Sequence, residues 1–507
     1  MATTALRKKN NLDLWLILLL AAALRLWALD LKAPHFDEGI NGWFSDKLRE
    51  TGTFAYDPTN YHGPWHFYTL FLSQSLSGRN IWALRLPVVV ASLLCIPVIF
   101  MFARWFGRTA VRWAALAFAV SPACVFYGRY SIHEPWLVLF SMLFDWGVIA
   151  LWLERDKAGL WAAAAGITGM ILNKETYIIH TGSLALAAGV FALWNRVSPL
   201  QPPIERAAVR GWNRRDALLA AGTMLFLLVF FYSGNFFHFK GLTDMFAALV
   251  AWTQTGAAAN GHEKTAYELL PFVNYYWLAL LARYEWPALA GLIWSVRYAW
   301  PGPAVPRLLS IYAGGVLLAY SIVPYKTPWC IISILWPWFL FFGAAIAAAN
   351  RAWARAIGVL LLAASLGMCL RLNLRQYEND AELYVYVQTY RSLAVVTTPL
   401  LQAAGKDPRF YQAAGAILTD DYPLPWILGD FTQIAYHGNP HPNNGRPLPE
   451  TISANDFVVV LSANADKIRE KLGPKYQEEA FRFRSAMDQC TVFFSRRVTE
   501  KNWELSP

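Results

Sequence analysis

Long apolar runs separated by short polar segments fill the first 370 residues of this 507-residue chain. A helix needs roughly 20 apolar residues to cross about 30 Å of hydrocarbon. By that rule, candidate spans lie near 14–31, 87–104, 113–128, 135–153, 160–173, 177–195, 217–235, 286–300, 308–324, 329–349 and 356–371. The segment 269–285 is ambiguous between a span and a surface helix. The pattern predicts a polytopic all-α membrane protein with about eleven transmembrane helices.

The pattern changes after the last span. From about Arg371 the chain becomes polar, with Pro and Gly breaks. The segments DFVVVLSAN and CTVFFSRRV are typical of short strands, whereas ADKIREKLGPKYQEEA is typical of a helix. We therefore predict a transmembrane domain over residues 1–370, with a large first outer loop at about 32–86, and a small soluble α/β domain over 371–507.

Composition and charge distribution agree with this reading and orient the chain. The sequence is 56% hydrophobic and 15% charged, whereas a soluble domain carries about 25% charged residues. Loops on one side hold 17 Lys and Arg over about 65 residues, against 11 over about 120 on the other. Because cytoplasmic loops are enriched in Lys and Arg, we predict a cytoplasmic N-terminus and a periplasmic C-terminal domain in the inner (plasma) membrane. The net charge of +10 is thus loop charge, which argues against a nucleic-acid partner.

Unusual polar residues gather on the predicted outer face. The candidate site residues are His35, Asp37, Glu38, Tyr61, His62, Arg129, His133, Glu134, Lys174, Glu175, Lys240, His262, Glu263, Arg283, Glu285 and Lys326. Any one of them has an ordinary structural interpretation, such as a lysine that reaches from the bilayer to the interface. Four of the five outer segments, however, offer acids together with cations. That convergence favours a binding or catalytic site.

These residue types suit an anionic, lipid-linked substrate. Arg and Lys side chains bind phosphate or pyrophosphate, and a carboxylate in a partly dry cavity can act as a general base on an acceptor hydroxyl. His35, Asp37 and Glu38 could also hold a divalent cation such as Mg²⁺, Mn²⁺ or Zn²⁺. The five cysteines form neither a metal-binding spacing nor a disulfide framework. No organic cofactor is indicated.

The outer motifs resemble a known family. An Asp-Glu pair directly after the first span is similar to the GT-C superfamily of membrane glycosyltransferases, which includes the protein O-mannosyltransferases and the lipid A aminoarabinose transferases. The stretch GRNIWALRLPVVVASLLCIPVIFMFARWFG resembles the RLP start of their second span. The ordered set HFDEG, YHGPWHFY, GRYSIHEP, NKETY and VPYKTPW looks most like the subgroup described as flippase-activity-associated glycosylation proteins. The resemblance covers about residues 1–370.

The resemblance implies an inverting transfer of a sugar from a polyprenyl-phosphate donor to a protein, lipid or glycan acceptor, at the bilayer surface outside the cytoplasm. Asp37 would then be the base or acceptor-orienting carboxylate, and Glu38 its neighbour or a metal contact. The candidates for the donor phosphate are Arg129, Lys174 and Lys326, with Lys240 and Arg283 on the same predicted face.

One departure from the family pattern leaves the donor open. Where the aminoarabinose transferases have a Lys-Pro-Pro stretch in the first loop, this chain has His62-Gly63-Pro64. Two other functions also stay open: a transporter or flippase for a lipid-linked substrate, and a non-catalytic subunit of envelope glycan assembly. The scarcity of internal repeats and mid-membrane charges argues against a transporter.

Overall fold

The computed structural model of the chain describes residues 11–60, 62–199, 211–259, 261–270, 273–299, 302–438, 451–484 and 489–499. It divides into two compact units. The membrane unit comprises Met1–Leu29 and Leu48–Gln376. The second unit, called the outer unit after its predicted side of the membrane, comprises Asp30–Lys47 and Tyr377–Pro507. Residues 30–47 therefore group with the C-terminal part, whereas the sequence-based boundaries keep them within 1–370.

Helices dominate the first three quarters of the chain. Their bounds are α1 (Leu12–Leu26), α2 (Phe36–Thr51), α3 (Trp65–Ser77), α4 (Ile81–Met101), α5 (Ala103–Phe106), α6 (Arg108–Val120), α7 (Pro122–Phe126), α8 (Glu134–Glu154), α9 (Lys157–Asn173), α10 (Tyr177–Val197), α11 (Arg214–Tyr232), α12 (Gly241–Ala258), α13 (Tyr276–Tyr284), α14 (Trp286–Ala299), α15 (Ala304–Ile322), α16 (Ile331–Ala348) and α17 (Ala352–Leu374).

Many of these helices are long and apolar enough to cross a bilayer. Within the described residues seven pass a test of length and hydropathy, or eight if the bent pair Arg108–Val120 and Pro122–Arg129 is one span. Shorter helices, α1, α9 and α14, lie at the three other predicted spans. The prediction of a multi-pass helical membrane protein is confirmed. The number of crossings stays a prediction.

Two predicted boundaries differ from the structure. The ambiguous segment 269–285 forms two short strands, β1 (Glu268–Leu270) and β2 (Val273–Asn274), followed by α13. Helix α4 begins at Ile81, six residues before the predicted span near 87–104. The charged residue Arg85 interrupts the apolar run, so the sequence predicted a later start. In the structure Arg85 is buried within the helix and donates to the carbonyl of Leu29 at 2.7 Å.

A buried arginine joins α1 to its neighbours. Arg25 is fully buried and donates to Ser92 Oγ of α4 at 2.8 Å and to the carbonyl of Ala119 in α6 at 3.2 Å. A charge inside an apolar bundle is tolerated only when it is hydrogen-bonded. These bonds fix α1 against α4 and α6.

Small residues allow α8 and α9 to pack backbone to backbone. A Cβ added at Gly147 would lie 2.3 Å from the nitrogen of Ala163, and one at Gly166 would lie 2.4 Å from the nitrogen of Phe144. Close approach through small residues is the usual way in which membrane helices associate. The loops that follow α9 and precede α8 are therefore held close together.

The outer unit contains a five-stranded sheet. Its strands are β3 (Gly415–Leu418), β4 (Ile434–Tyr436), β5 (Phe457–Leu461), β6 (Tyr476–Arg482) and β7 (Gln489–Ser495), and its helices are α18 (Ala394–Lys406), α19 (Leu424–Ile427), α20 (Ala465–Leu472) and α21 (Arg496–Thr499). The strand order is β4-β3-β5-β7-β6. Strand β3 pairs in parallel with β4 and β5, while β7 pairs antiparallel with β5 and β6.

The two strands predicted in this unit are confirmed, but the predicted helix is only half right. The sequence ADKIREKLGPKYQEEA is helical as far as Leu472 and becomes strand β6 from Tyr476. Gly473 adopts a φ of 70°, which ends the helix. Strand β6 then pairs with β7 along its whole length, and this pairing overrides the weak strand propensity of its glutamates.

The packing of α8 on α9 makes a stability prediction. Replacing Gly166 with Ala forces a methyl group against the backbone of α8, and we expect the free energy of unfolding to fall by about 1–3 kcal/mol. The measurement is a denaturant titration in detergent micelles. The matched control is Gly182→Ala in α10, where an added Cβ meets nothing within 4 Å. Equal stabilities of the two variants would contradict the close packing.

Candidate active site

The N-terminus of α2 presents the Asp-Glu pair on a hydrogen-bonded frame. The amide of His35 donates to Glu38 Oε2 at 2.9 Å, and the amide of Asp37 donates to His35 Nδ1 at 3.1 Å. Since Nδ1 accepts a bond, the ring proton lies on Nε2, which donates to the carbonyl of Tyr386 at 2.8 Å. Burial lowers the pKa of His35, so the ring stays neutral and keeps this arrangement.

The two acids of the pair have different environments. Glu38 is fully buried and accepts from the first turn of its own helix, as in a capping box. Asp37 is half-buried, and among the described residues its carboxylate makes no hydrogen bond or ion pair. It lies in the first turn of α2. Asp37 is therefore the more accessible of the two acids, and Glu38 caps the helix.

The geometry gives little support to a metal site built from His35, Asp37 and Glu38. Both ring nitrogens of His35 are engaged by backbone groups. Across the described part of the chain, no group of three or more His, Cys, Asp or Glu side chains is arranged to hold a metal ion. The three residues do not fit a three-ligand set, and a requirement for a divalent cation stays a prediction.

In the membrane unit, three predicted site segments meet. Lys174, directly after α9, forms a buried ion pair with Glu134, the first residue of α8. The neighbouring residue Glu175 accepts a hydrogen bond from, or pairs with, His62 Nδ1 at 3.1 Å. Burial opposes the charge of Lys174, but the Glu134 carboxylate more than offsets this and raises the lysine pKa well above its usual value.

A close backbone contact explains the glycine in the sequence His62-Gly63-Pro64. The amide of Gly63 donates to the carbonyl of Asn173 at 3.1 Å, and a Cβ at Gly63 would lie 2.2 Å from the carbonyl oxygen of Leu172. Only glycine permits so close an approach. This contact brings His62 beside Glu175.

Three histidine rings lie in contact beside these ion pairs. The ring of His133 lies 4.5 Å from that of His62 and 4.6 Å from that of His66, centroid to centroid. Burial and the neighbouring positive groups lower the pKa of His133 well below its usual value. His133 Nε2 and Glu175 Oε1 are buried polar atoms with no hydrogen-bond partner among the described protein residues, and such atoms call for an explanation.

Two predicted phosphate ligands lie at helix ends and bond to the backbone. Arg129 is buried and donates to the carbonyls of Leu24, at 3.3 Å, and Ala28. Lys326 is buried and donates to the carbonyls of Ser321, at 3.1 Å, and Val323. Burial lowers the pKa of Lys326 from 10.5 to about 8. An ammonium has three protons, so these bonds account for two of the three on Lys326.

The remaining predicted residues have local partners or lie apart. The exposed ammonium of Lys240 forms an ion pair with the buried carboxylate of Asp244, one turn along α12. Glu285 is buried and accepts from Ser121 Oγ and the amide of Ala123, both at 2.7 Å, which caps α7.

The other members of the predicted set can be placed briefly. Arg283 is exposed and lies over the ring of Tyr284 at 5.2 Å. The ring of His262 is 4.5 Å from that of Tyr325, and Glu263 is exposed. Tyr61 lies outside the described residues.

Sequence reasoning missed the residues that hold the Asp37 helix. The guanidinium of Arg484 lies 4.5 Å from the ring centroid of Phe36, next to Asp37, and its Nε donates to Asp420 Oδ2 at 2.8 Å. The carbonyl of Tyr386 accepts from His35. More than 340 residues separate these partners along the chain, and neither belongs to a recognisable motif.

The Lys174–Glu134 pair makes a stability prediction. Replacing Glu134 with Gln leaves a buried ammonium without its counter-charge, and we expect a loss of about 3–5 kcal/mol in the free energy of unfolding. The double variant Glu134→Leu/Lys174→Leu should recover most of that loss.

Denaturant titration in micelles measures both effects. The control is Asp466→Asn, which breaks an exposed pair with Arg469 and should cost less than about 1 kcal/mol. A Glu134→Gln protein as stable as Asp466→Asn would contradict the buried pair.

Comparisons with known proteins agree with the sequence resemblance. Residues 61–209 match the model of the family described as dolichyl-phosphate-mannose-protein mannosyltransferase. No curated protein matches the chain in sequence. The family match includes the His62, Glu134 and Lys174 segments and begins after α2.

The fold is similar to that of ArnT from Cupriavidus metallidurans. The crystal structure of ArnT bound to undecaprenyl phosphate aligns with a TM-score of 0.58 at 16% identity, covering 98% of this chain and 99% of that one. The apo structure of ArnT aligns with a TM-score of 0.54 at 16% identity, covering 94% and 97%. The chain therefore has the GT-C fold seen in ArnT, and it resembles the mannosyltransferase family over residues 61–209.

Proposed function

We propose that this chain transfers a sugar from a polyprenyl-phosphate donor to an acceptor hydroxyl on the extracytoplasmic face of the inner (plasma) membrane, with inversion. The fold likeness to ArnT, whose crystal structure contains undecaprenyl phosphate, supports the donor class. The family match, to proteins named for dolichyl-phosphate-mannose, supports the same class. The acceptor is a protein, lipid or glycan.

The reaction is a single displacement at the anomeric carbon. The acceptor oxygen forms the new bond to C1 while the bond from C1 to the donor phosphate oxygen breaks. The hydroxyl proton passes to Asp37, and polyprenyl phosphate leaves with the electron pair of the broken bond. One displacement inverts the configuration at C1.

The half-buried Asp37 carboxylate carries this proposal. A general base must reach the proton that it removes and must not be neutralised by an ion pair. Asp37 meets the second condition, since its carboxylate has no partner among the described residues, while backbone bonds at His35 and Glu38 fix its helix turn. The neighbouring Glu38 is fully buried and does not serve as the base.

The membrane unit supplies candidates for the donor. The third proton of Lys326 is suited to a phosphate oxygen, because an ammonium binds phosphate as a point charge. Glu175 Oε1 and His133 Nε2 lack protein partners and suit sugar hydroxyls, which both donate and accept hydrogen bonds. Arg129, Lys240 and Arg283 have the contacts of structural or surface residues and are weaker candidates.

The central prediction concerns Asp37. We expect Asp37→Asn to fold but to lose about 10²–10⁴-fold in turnover, which is the usual contribution of a general base. The measurement is consumption of polyprenyl-phosphate mannose, glucose and arabinose in nanodiscs, with Mg²⁺, Mn²⁺, Zn²⁺ or a chelator. Asp466→Asn, which alters an exposed carboxylate in α20, is the control and should match wild type. The metal series tests the predicted cation.

The alternatives give different outcomes. Equal turnover by wild type and Asp37→Asn would remove Asp37 from the chemistry. A transporter would move the labelled lipid across a vesicle bilayer without breaking the sugar–phosphate bond. A non-catalytic subunit would show neither activity, and Asp37→Asn would leave glycan products in cells unchanged.

Lys326 makes a prediction about pH. If its ammonium binds the donor phosphate, kcat/KM falls as the pH rises through about 8, where the buried lysine loses its proton. Lys326→Arg keeps its charge at all these pH values, so its profile should stay flat over the same range. A wild-type profile that is level between pH 7 and 9.5 would exclude Lys326 from donor binding.

A further inference from the structure

We infer that the C-terminal part of the outer unit is a positioning platform for Asp37: it docks one face of α2 and thereby fixes the rotation of the helix that carries the base. This inference rests on the proposed function for its catalytic consequence. The docking itself is a geometric statement about residues 30–47 and 377–507, which form one compact unit. It assigns a role in the reaction to the domain predicted over residues 371–507, for which the sequence alone indicates no role.

Two glycines make the docking face of α2 flat enough for close contact. A Cβ at Gly39 would lie 2.5 Å from Cα of Pro423, and a Cβ at Gly42 would lie 2.4–2.7 Å from the ring of Trp426. Trp426 is itself buried. Residues three apart share a helix face, so both glycines present the same side of α2 to α19 and the residue before it.

Helix geometry places Asp37 away from that face. With about 100° per residue, Asp37 lies about 160° from Gly39, whereas Glu38 lies about 40° from Gly42. The burial pattern agrees, since Glu38 is fully buried and Asp37 is only half-buried. Docking through the glycine face therefore turns Asp37 outward, and a rotation by one residue would bury the base.

Side-chain contacts hold the start of the helix on the same platform. Arg484 lies over the ring of Phe36 at 4.5 Å and also bonds to Asp420. Phe36 packs edge-on against Tyr422, with ring centroids 5.7 Å apart. The arginine thus fixes the residue directly before Asp37 by a cation–π contact.

The hydrogen bond from His35 to Tyr386 extends this frame to the cap. His35 Nε2 donates to the carbonyl of Tyr386, and its Nδ1 accepts from the amide of Asp37. The imidazole ring therefore connects the backbone of Asp37 to the platform through two bonds. Gly39, Gly42, His35 and Arg484 are positioning residues, since none of them is required to touch the substrate.

A displacement of the base by about 1 Å can lower the rate about 100-fold without changing how the donor binds. The test is a size series at Gly42, with Gly42→Ala and Gly42→Val. We expect kcat to fall by about 10-fold or more, and further with size, while KM for polyprenyl-phosphate mannose changes by less than about 2-fold. The control series is Gly405→Ala and Gly405→Val in α18, where an added Cβ meets nothing within 4 Å.

Hydrogen–deuterium exchange measures the docking of α2 in the absence of substrate. In Gly42→Ala the amides of residues 36–47 should exchange at least about 10-fold faster than in Gly405→Ala, while those of β5 stay protected. Should the Gly42 variants fail to fold, Arg484→Gln removes a contact without adding volume, and the same two readouts apply to it.

The outcomes separate the inference from the proposed function. Variants at Gly42 that match the Gly405 controls in both kcat and exchange would overturn the platform. A rise in KM with unchanged kcat would also overturn it, because the defect would then lie in binding. Wild-type protein that is inactive on every donor, with the expected exchange difference intact, would overturn the proposed function and leave the docking established.

Discussion

The constraint on which the rest of this structure depends is that every charge buried among apolar helices needs a hydrogen-bonding partner. Three buried arginines meet it around the outer end of α1. Arg25 bonds to α4 and α6, and Arg85 bonds to the carbonyl of Leu29. Arg129 bonds to the carbonyl of Leu24, in the last turn of α1, and to that of Ala28, just after it. Together they fix the point at which the chain leaves the membrane unit for α2.

The same constraint distinguishes charged residues that have a partner from Asp37, whose carboxylate has none among the described residues. Lys174 and Glu134 neutralise each other in a buried position, and Glu38 is used by the cap of α2. The constraint does not apply to Asp37, because this residue is only half-buried and lies at a helix N-terminus, where a carboxylate without a partner is tolerated. An acid pair that looks symmetrical in sequence is thus chemically unequal in the fold.

Much of this could be predicted from the sequence, because hydropathy and charge bias report directly on the bilayer. The helical membrane class, the soluble α/β segment and the strands at Phe457 and Gln489 follow from local patterns. The sequence predicted only that Lys174, Glu134, His62 and Glu175 lie on the same side of the membrane. It did not predict that Lys174 pairs with Glu134 or that His62 pairs with Glu175. The individual partners depend on Gly63, Gly147 and Gly166, whose close contacts no local pattern reveals.

The different burial of Asp37 and Glu38 and the partners of α2 could not be predicted. Arg484 and Tyr386 lie far along the chain from Phe36 and His35, so they leave no periodic or spacing signal. The helix prediction for the C-terminal part of ADKIREKLGPKYQEEA was wrong for a related reason. This part pairs with β7, and that non-local pairing outweighs the local propensity of the segment.

The docking of α2 on a partner that begins at Tyr377 has a consequence for synthesis. About 330 residues separate Lys47 from that partner, and ribosomes add roughly 5–20 residues per second. The helix that carries Asp37 is therefore made about 20–60 s before the surface that orients it. During that interval the nascent chain has its membrane helices, but α2 has no surface on which to dock, so Asp37 acquires its observed orientation only after residues 377–484 have been made.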